Sequence, residues 1–174
     1  MLPETELDRL IPAVPSDPTA LETIYCAARK ELFVFAYSIL RQKEAAEDAV
    51  SETMLRLYRA APKYRSCGNG RAYLYRICRN ASMELLRKKH RQVPEETVEV
   101  ETASSAFETK LYAEHLLQVL SVPQRQVMVL HYFSDLTFRE IASVLSVPES
   151  TVKWRHNQAL KQCRAAATQE DAYV

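Results

Sequence analysis

The sequence predicts an all-α fold: two small helical domains joined by an acidic flexible linker, the C-terminal one containing a helix-turn-helix. Three observations predict it. Apolar residues recur at helical spacing in one segment after another. The 174 residues hold only two glycines and few alternating runs, while 47% hydrophobic content supports a real core. Finally, Thr137 to Cys163 reads as two short helices about a tight turn.

Residues 1–18 contain Pro3, Pro12, Pro15 and Pro18 and read as an irregular lead-in. A first domain follows over 19–90. Its opening helix keeps the helical period through Leu21, Ile24, Tyr25, Ala28, Leu32, Phe35, Ala36 and Ile39. A second helix runs from near Lys43 to about Arg59, with Ala46, Ala49, Val50, Thr53, Met54 and Leu57 on its buried stripe. Pro62 to Gly70 is a basic, turn-rich loop. The third helix runs from about Arg71 to Lys89 and turns Leu74, Ile77, Cys78, Ala81 and Leu85 inward. Residues 91–106 lose the helical period, carry acids and small polar residues, and read as a linker. Val93, Val98 and Val100 within it could alternatively form a short strand, with no obvious partner nearby. The second domain spans 107–168, with a helix from Phe107 to about Leu120 and another through Tyr132. Ser121, Pro123 and Gln124 supply the start signal for the latter. Residues 169–174 are a tail.

Within the closing pair, Thr137 and Glu140 have capping-box spacing, and Phe138, Ile141, Ala142 and Leu145 form an apolar stripe. Ser146-Val147-Pro148 breaks the chain, with Ser146 as the residue asked to turn left-handed at a cost on the order of 1 kcal/mol. The next helix buries Val152, His156, Ala159, Leu160 and Cys163. It shows Ser150, Lys153, Trp154, Asn157, Gln158 and Lys161 on the other side. One buried stripe and one hydrogen-bonding, cationic face suit a DNA major groove. Any two packed amphipathic helices give a similar pattern, so this segment alone does not decide the matter.

The net charge of +1 conceals blocks. Pro62 to Gln92 carries nine cations against Glu84 alone, a net of +8, and Pro94 to Glu114 carries six acids against Lys110, a net of −5. On the third helix, Arg76, Arg79, Asn80, Met83 and Arg87 share the face opposite the apolar stripe, near Tyr64, Tyr73 and Tyr75. A cationic face beside aromatics suits single-stranded nucleic acid, through phosphate attraction and base stacking. A solvated basic face with tyrosines in the core would read the same way. Because Tyr73 and Tyr75 project about 160° apart, at least one avoids the core.

Cys26, Cys67, Cys78 and Cys163 form no CxxC pair and have no clustered histidines, so no metal, cofactor or disulfide framework is expected. There is no HExxH, P-loop or Gly-rich nucleotide fingerprint, and His90, His115, His131 and His156 are scattered. No catalytic residues are expected, and an enzyme is the least expected class. No apolar run approaches a bilayer's thickness, and the first residues are acidic rather than signal-like; a cytoplasmic protein without membrane insertion is expected.

Three ordered segments resemble the bacterial RNA polymerase sigma factors of the sigma-70 family, extracytoplasmic-function type. They are AEDAVSETMLRLY (46–58), YRSCGNGRAYLYRICRNASMELLRKK (64–89) and LSVPQRQVMVLHYFSDLTFREIASVLSVPESTVKWR (120–155). The resemblance covers about Pro18 to Arg164. It implies a first domain (region 2) that binds core polymerase and the minus-ten element, and a second (region 4) that binds the minus-thirty-five element. Asp48, Glu52 and Leu55, which share one helical face, would meet the polymerase. Tyr64, Arg65, Asn69 and Arg71 of the loop would receive a flipped base, with Arg76, Arg79, Asn80, Met83 and Arg87 holding the strand. Ser150, Lys153, Trp154, Asn157 and Gln158 would face duplex bases, with Thr151 and Arg155 nearer phosphates. The implied partners are core RNA polymerase, promoter DNA as duplex and as non-template single strand, and an anti-sigma factor, with a free monomer.

The chain departs from the family pattern in five places. Tyr73 replaces a usual Trp, Ser51 a Gln, Trp154 a small Ser, Gln158 an Arg, and His156 a Leu on the buried stripe. His156 is read as neutral, with a backbone or water partner. Two other classes fit the residues: a two-domain regulator that binds duplex DNA without polymerase, and an all-helical adaptor whose basic face meets an acidic protein.

Overall fold

A computed structural model describes residues 1–66, 68–92 and 119–170. Among these are seven α-helices: α1 (Glu4–Ala13), α2 (Pro18–Leu40), α3 (Lys43–Ala60), α4 (Gly70–Gln92), α5 (Val122–Tyr132), α6 (Phe138–Leu145) and α7 (Glu149–Glu170). A 3-10 turn at Ala61–Lys63 follows α3. The linker expected at 91–106 starts later than predicted, because Arg91 and Gln92 continue α4; residues 93–106, the expected helix from Phe107, Cys67 and the last tail residues lie outside the described residues.

The lead-in is a correction. Residues 1–18 are not irregular, because Glu4–Ala13 is helical and buries Leu7, Leu10 and Ile11. One of the prolines stands where a helix tolerates it, and another lies inside the helix near its end. Pro3 is at the N-cap, where no intrahelical N–H is needed, and Pro12 is in the final turns. Burying a Leu or Ile side chain contributes roughly 1.5–3 kcal/mol each, enough to offset the one bond that Pro12 removes.

Helix α2 is the central strut. Asp17 caps it by accepting from Thr19 N at 2.9 Å and from Thr19 Oγ1 at 2.6 Å, and Pro18 stands in the first turn. Arg41, left-handed at φ 56°, ends it. Helices α1, α3, α4 and α5 all pack on α2. Phe35 meets Tyr75 of α4 edge-on, with centroids 5.4 Å apart. The buried set of α3 is Ala46, Ala49, Val50, Thr53, Met54 and Leu57, the stripe expected from the period.

Helices α5 to α7 form the rear part. At α5 the Gln124 side chain accepts from Ser121 N at 2.9 Å, and at α6 the Glu140 side chain accepts from Thr137 N at 2.7 Å. Ser146 turns left-handed at φ 54°, as the break requires. The apolar core is continuous from Leu7 to Val152, because α5 packs on α2 and α6 packs on α4. Front and rear helices therefore lie against each other.

Candidate nucleic-acid interface

The outer face of α3 exposes Asp48 and Leu55, the latter 52% accessible, with Tyr58 beside it at 51%. Glu52 is half-buried and already engaged. Arg56 Nε donates to Glu52 Oε1 at 2.7 Å, and Arg56 Nη2 donates to Glu84 Oε2 of α4 at 2.5 Å. These hydrogen bonds raise the Arg56 pKa, while the Arg56 bond and charge lower that of Glu84. Asp48, Glu52, Arg56, Glu84, Leu85 and Lys88 rim a cleft of about 230 Å³ between the two helices. Arg56 was not singled out from sequence. Its partner Glu84 lies 28 residues away, beyond any local pattern.

The loop before α4 is ordered by its aromatics. Tyr64 and Tyr73 pack with ring centroids 4.8 Å apart, and the Arg76 guanidinium lies 5.9 Å from the Tyr73 centroid. Arg65 is exposed and Asn69 half-buried. Gly68 takes φ 69°, a left-handed position where glycine carries no steric cost. Tyr75, by contrast, is fully buried against Phe35, with its hydroxyl donating to Glu31 Oε2 at 3.2 Å. It is core, which leaves Tyr64 and Tyr73 as the aromatics of this surface.

The cationic face of α4 divides in two. Asn80 and Arg87 are exposed, whereas Arg71, Arg79 and Met83 are half-buried beneath the rear helices. Arg71 Nη2 donates to the Ser134 carbonyl in the α5–α6 turn. Gln126 Nε2 approaches the Met83 sulfur at 4.0 Å. Burial holds the Arg79 pKa below its ordinary value, and the neighbouring charges of Arg155 and Arg87 add to this. Both Arg71 Nε and Arg79 Nε are buried without a hydrogen-bond partner.

On α7, Val152, His156 and Ala159 face inward, while Ser150, Lys153, Asn157 and Trp154 are exposed, Trp154 at 61%. Thr151, Arg155 and Gln158 are half-buried at the edges of that face. Lys153 Nζ pairs with Glu149 at 2.7 Å, one turn earlier. The partner of His156 is a side chain rather than backbone or water, since its Nε2 lies 3.0 Å from the Tyr132 hydroxyl. That corrects the expectation, and Tyr132 on α5 explains it. His131, Phe138 and Tyr132 surround the His156 ring with centroids 5.1 to 5.8 Å away, so the ring packs among aromatics on the buried stripe.

Among the described residues no group of three or more His, Cys, Asp or Glu is placed to hold a metal ion. Among the same residues no helix is long and apolar enough to cross a membrane.

The described residues, helices and their connecting loops, combine an acidic and apolar helix face, a basic helix behind an aromatic loop, and a helix-turn-helix, a set suited to a multi-surface DNA-binding protein. Comparisons with known proteins narrow the class. Residues 24–92 match the family description "Sigma-70 region 2", and residues 110–163 match "Sigma-70, region 4". The ECF RNA polymerase sigma factor SigM of Mycobacterium tuberculosis (strain Erdman) is 30% identical over 145 residues, covering 82% of this chain and 74% of the relative. RNA polymerase sigma factor SigV of Bacillus subtilis is 27% identical, covering 82% and 88%. Two solved folds superpose with a TM-score of 0.71. CnrH in complex with the cytosolic domain of CnrY is 20% identical, covering 94% of this chain and 98% of that one. The sigma factor RpoE in complex with the anti-sigma factor NepR from Bartonella quintana is 21% identical, covering 84% and 96%. The chain belongs to the sigma-70 family, extracytoplasmic-function type, and is a sigma factor that directs RNA polymerase to promoters for transcription initiation.

Proposed function

We propose a division of labour among the three surfaces. The α3 face, through Asp48, Glu52 and Leu55, docks on a basic and apolar helix of core polymerase. Asp48 supplies orientation and on-rate, and Leu55 supplies desolvated contact area. The loop from Tyr64 to Arg71 takes up a base extruded from the non-template strand. Arg76, Arg79, Asn80, Met83 and Arg87 then hold the neighbouring backbone and bases. Extrusion costs a few kcal/mol, and stacking on Tyr64 or Tyr73 offsets it by roughly 1–3 kcal/mol per base, which is how a sigma factor without an energy source promotes strand opening. Lys153, Trp154, Asn157, Gln158 and Ser150 read the minus-thirty-five duplex in the major groove, with Thr151 and Arg155 on phosphates. Residues 19–90 together with α1, and residues 107–168, are the corresponding functional units, active in the cytoplasm, without catalytic groups and monomeric when free.

The single observation that carries this reading is the joint exposure of Asp48, Leu55 and Tyr58 on one helix of a chain that also presents two DNA-type faces. The solved neighbour RpoE, in complex with the anti-sigma factor NepR, supports an anti-sigma partner for this chain as well. The experiment is in vitro transcription with bacterial core polymerase and fragments of the host genome. Discrete promoter-initiated transcripts that depend on this protein are expected. Transcription no different from core polymerase alone would refute the proposal.

A further inference from the structure

Helix α1 precedes the segment matched by the region 2 description, yet it holds the loop before α4 at several points. The Asp8 carboxylate accepts from the Tyr64 hydroxyl through Oδ1, and from Gly68 N at 2.6 Å through Oδ2. The Asp8 carbonyl accepts from Ser66 Oγ at 2.8 Å. That carbonyl is available for a reason written in the sequence. Four residues on stands Pro12, which has no N–H to close the helical bond back to Asp8. One turn earlier, Glu4 Oε2 accepts from Arg71 N at 3.0 Å, at the start of α4. Gly70 lies so close that a Cβ there would sit 2.9 Å from Leu7 Cβ and 3.2 Å from Asp8 Oδ1.

We propose that Asp8 is a positioning residue for the base-receiving loop, setting which base the loop accepts. The inference rests on the reading of that loop given under Proposed function. Asp8 ties both ends of the turn to one carboxylate, so the left-handed Gly68 and the Tyr64 ring keep a fixed separation. Tyr64 in turn packs on Tyr73, which lies under Arg76, so the restraint passes from α1 to the strand-holding face. A receptor loop held in one shape discriminates between bases, because a wrong edge leaves polar groups unpaired instead of being accommodated by movement. Bonds to a charged acceptor are the stronger kind, so this restraint outweighs a neutral one.

The test uses holoenzyme assembled from core polymerase and full-length variants. Binding is measured to forked DNA carrying each of the four bases at the extruded position, alongside duplex promoter binding and the melting temperature. Asp8→Ala is expected to cut the preference for the best base over the worst by roughly tenfold, with polymerase assembly and duplex binding unchanged. Asp8→Asn keeps one acceptor oxygen and should fall between. Gly70→Ala approaches from the loop side, pushing α1 away with Asp8 intact, and should relax the same preference. Unchanged base preference in Asp8→Ala and Gly70→Ala, while Arg65→Ala weakens forked-DNA binding, overturns the inference alone. Equal weakening on all four bases reduces Asp8 to a structural role and also overturns it. If Arg65→Ala and Tyr64→Ala are inert as well, the loop reading fails and the inference falls with it.

Discussion

At the scale of single residues, the proposed polymerase and duplex faces rest on few side chains. Asp48 is exposed on α3, so Asp48→Lys is expected to leave the melting curve unchanged while weakening association with core polymerase at least about tenfold. Undiminished co-purification would contradict that role. Lys153 is exposed on α7 and held one turn from Glu149. Lys153→Ala should lower promoter affinity and reduce the slope of log affinity against log salt, because one cation is removed from the major-groove face. A slope identical to the parent's would remove Lys153 from the interface. The outward set of α7 was legible because helical spacing alone separates it from Val152, His156 and Ala159. The His156 partner was not, since Tyr132 lies 24 residues away and joins it only once α5 and α7 pack.

At the scale of elements, start signals acted where local chemistry placed them. The Thr137–Glu140 box begins α6, and Thr137→Ala is expected to cost about 1 kcal/mol in denaturant unfolding. No shift in midpoint would show the cap to be idle. Asp17 begins α2, and its bonds to Thr19 hold its carboxyl below the ordinary value. Glu84 is likewise lowered, by Arg56. A lowered folded-state pKa means the unfolded chain binds the proton more readily. Both contributions are therefore complete above the ordinary carboxylate range and lost as pH falls through the depressed folded values. Unfolding midpoints from pH 7 down to pH 3 should fall for the parent and fall less for Asp17→Ala; parallel curves would count against it. Helix α1 was the element sequence reading missed. Leu7, Leu10, Ile11 and Val14 keep helical spacing there, but four prolines in eighteen residues outweighed it. What decides the case is burial against α2 and α4, a tertiary fact.

For the whole molecule, the helical class and the order of its surfaces were readable, because periodicity, capping and charge blocks are local. The packing of rear helices on front ones was not. It depends on pairs such as Arg125 Nε with the Ser38 carbonyl at 3.0 Å, 87 residues apart, and on apolar contacts between α6 and α4. A shared core predicts that the free protein unfolds in one cooperative transition, with calorimetric and van't Hoff enthalpies in agreement. Two resolved melting steps would show that the parts are energetically separate.

The hydrogen bond from Arg71 to the Ser134 carbonyl bears on how such a protein behaves in a crowded chromosome. A genome presents millions of anonymous phosphates that compete for any bare cation. A guanidinium already occupied by its own chain, with a second arginine tucked beneath the same roof, offers little to that background. Those two cations are thereby held back from anonymous phosphate, while Arg65, Arg87 and Lys153 stay open to it.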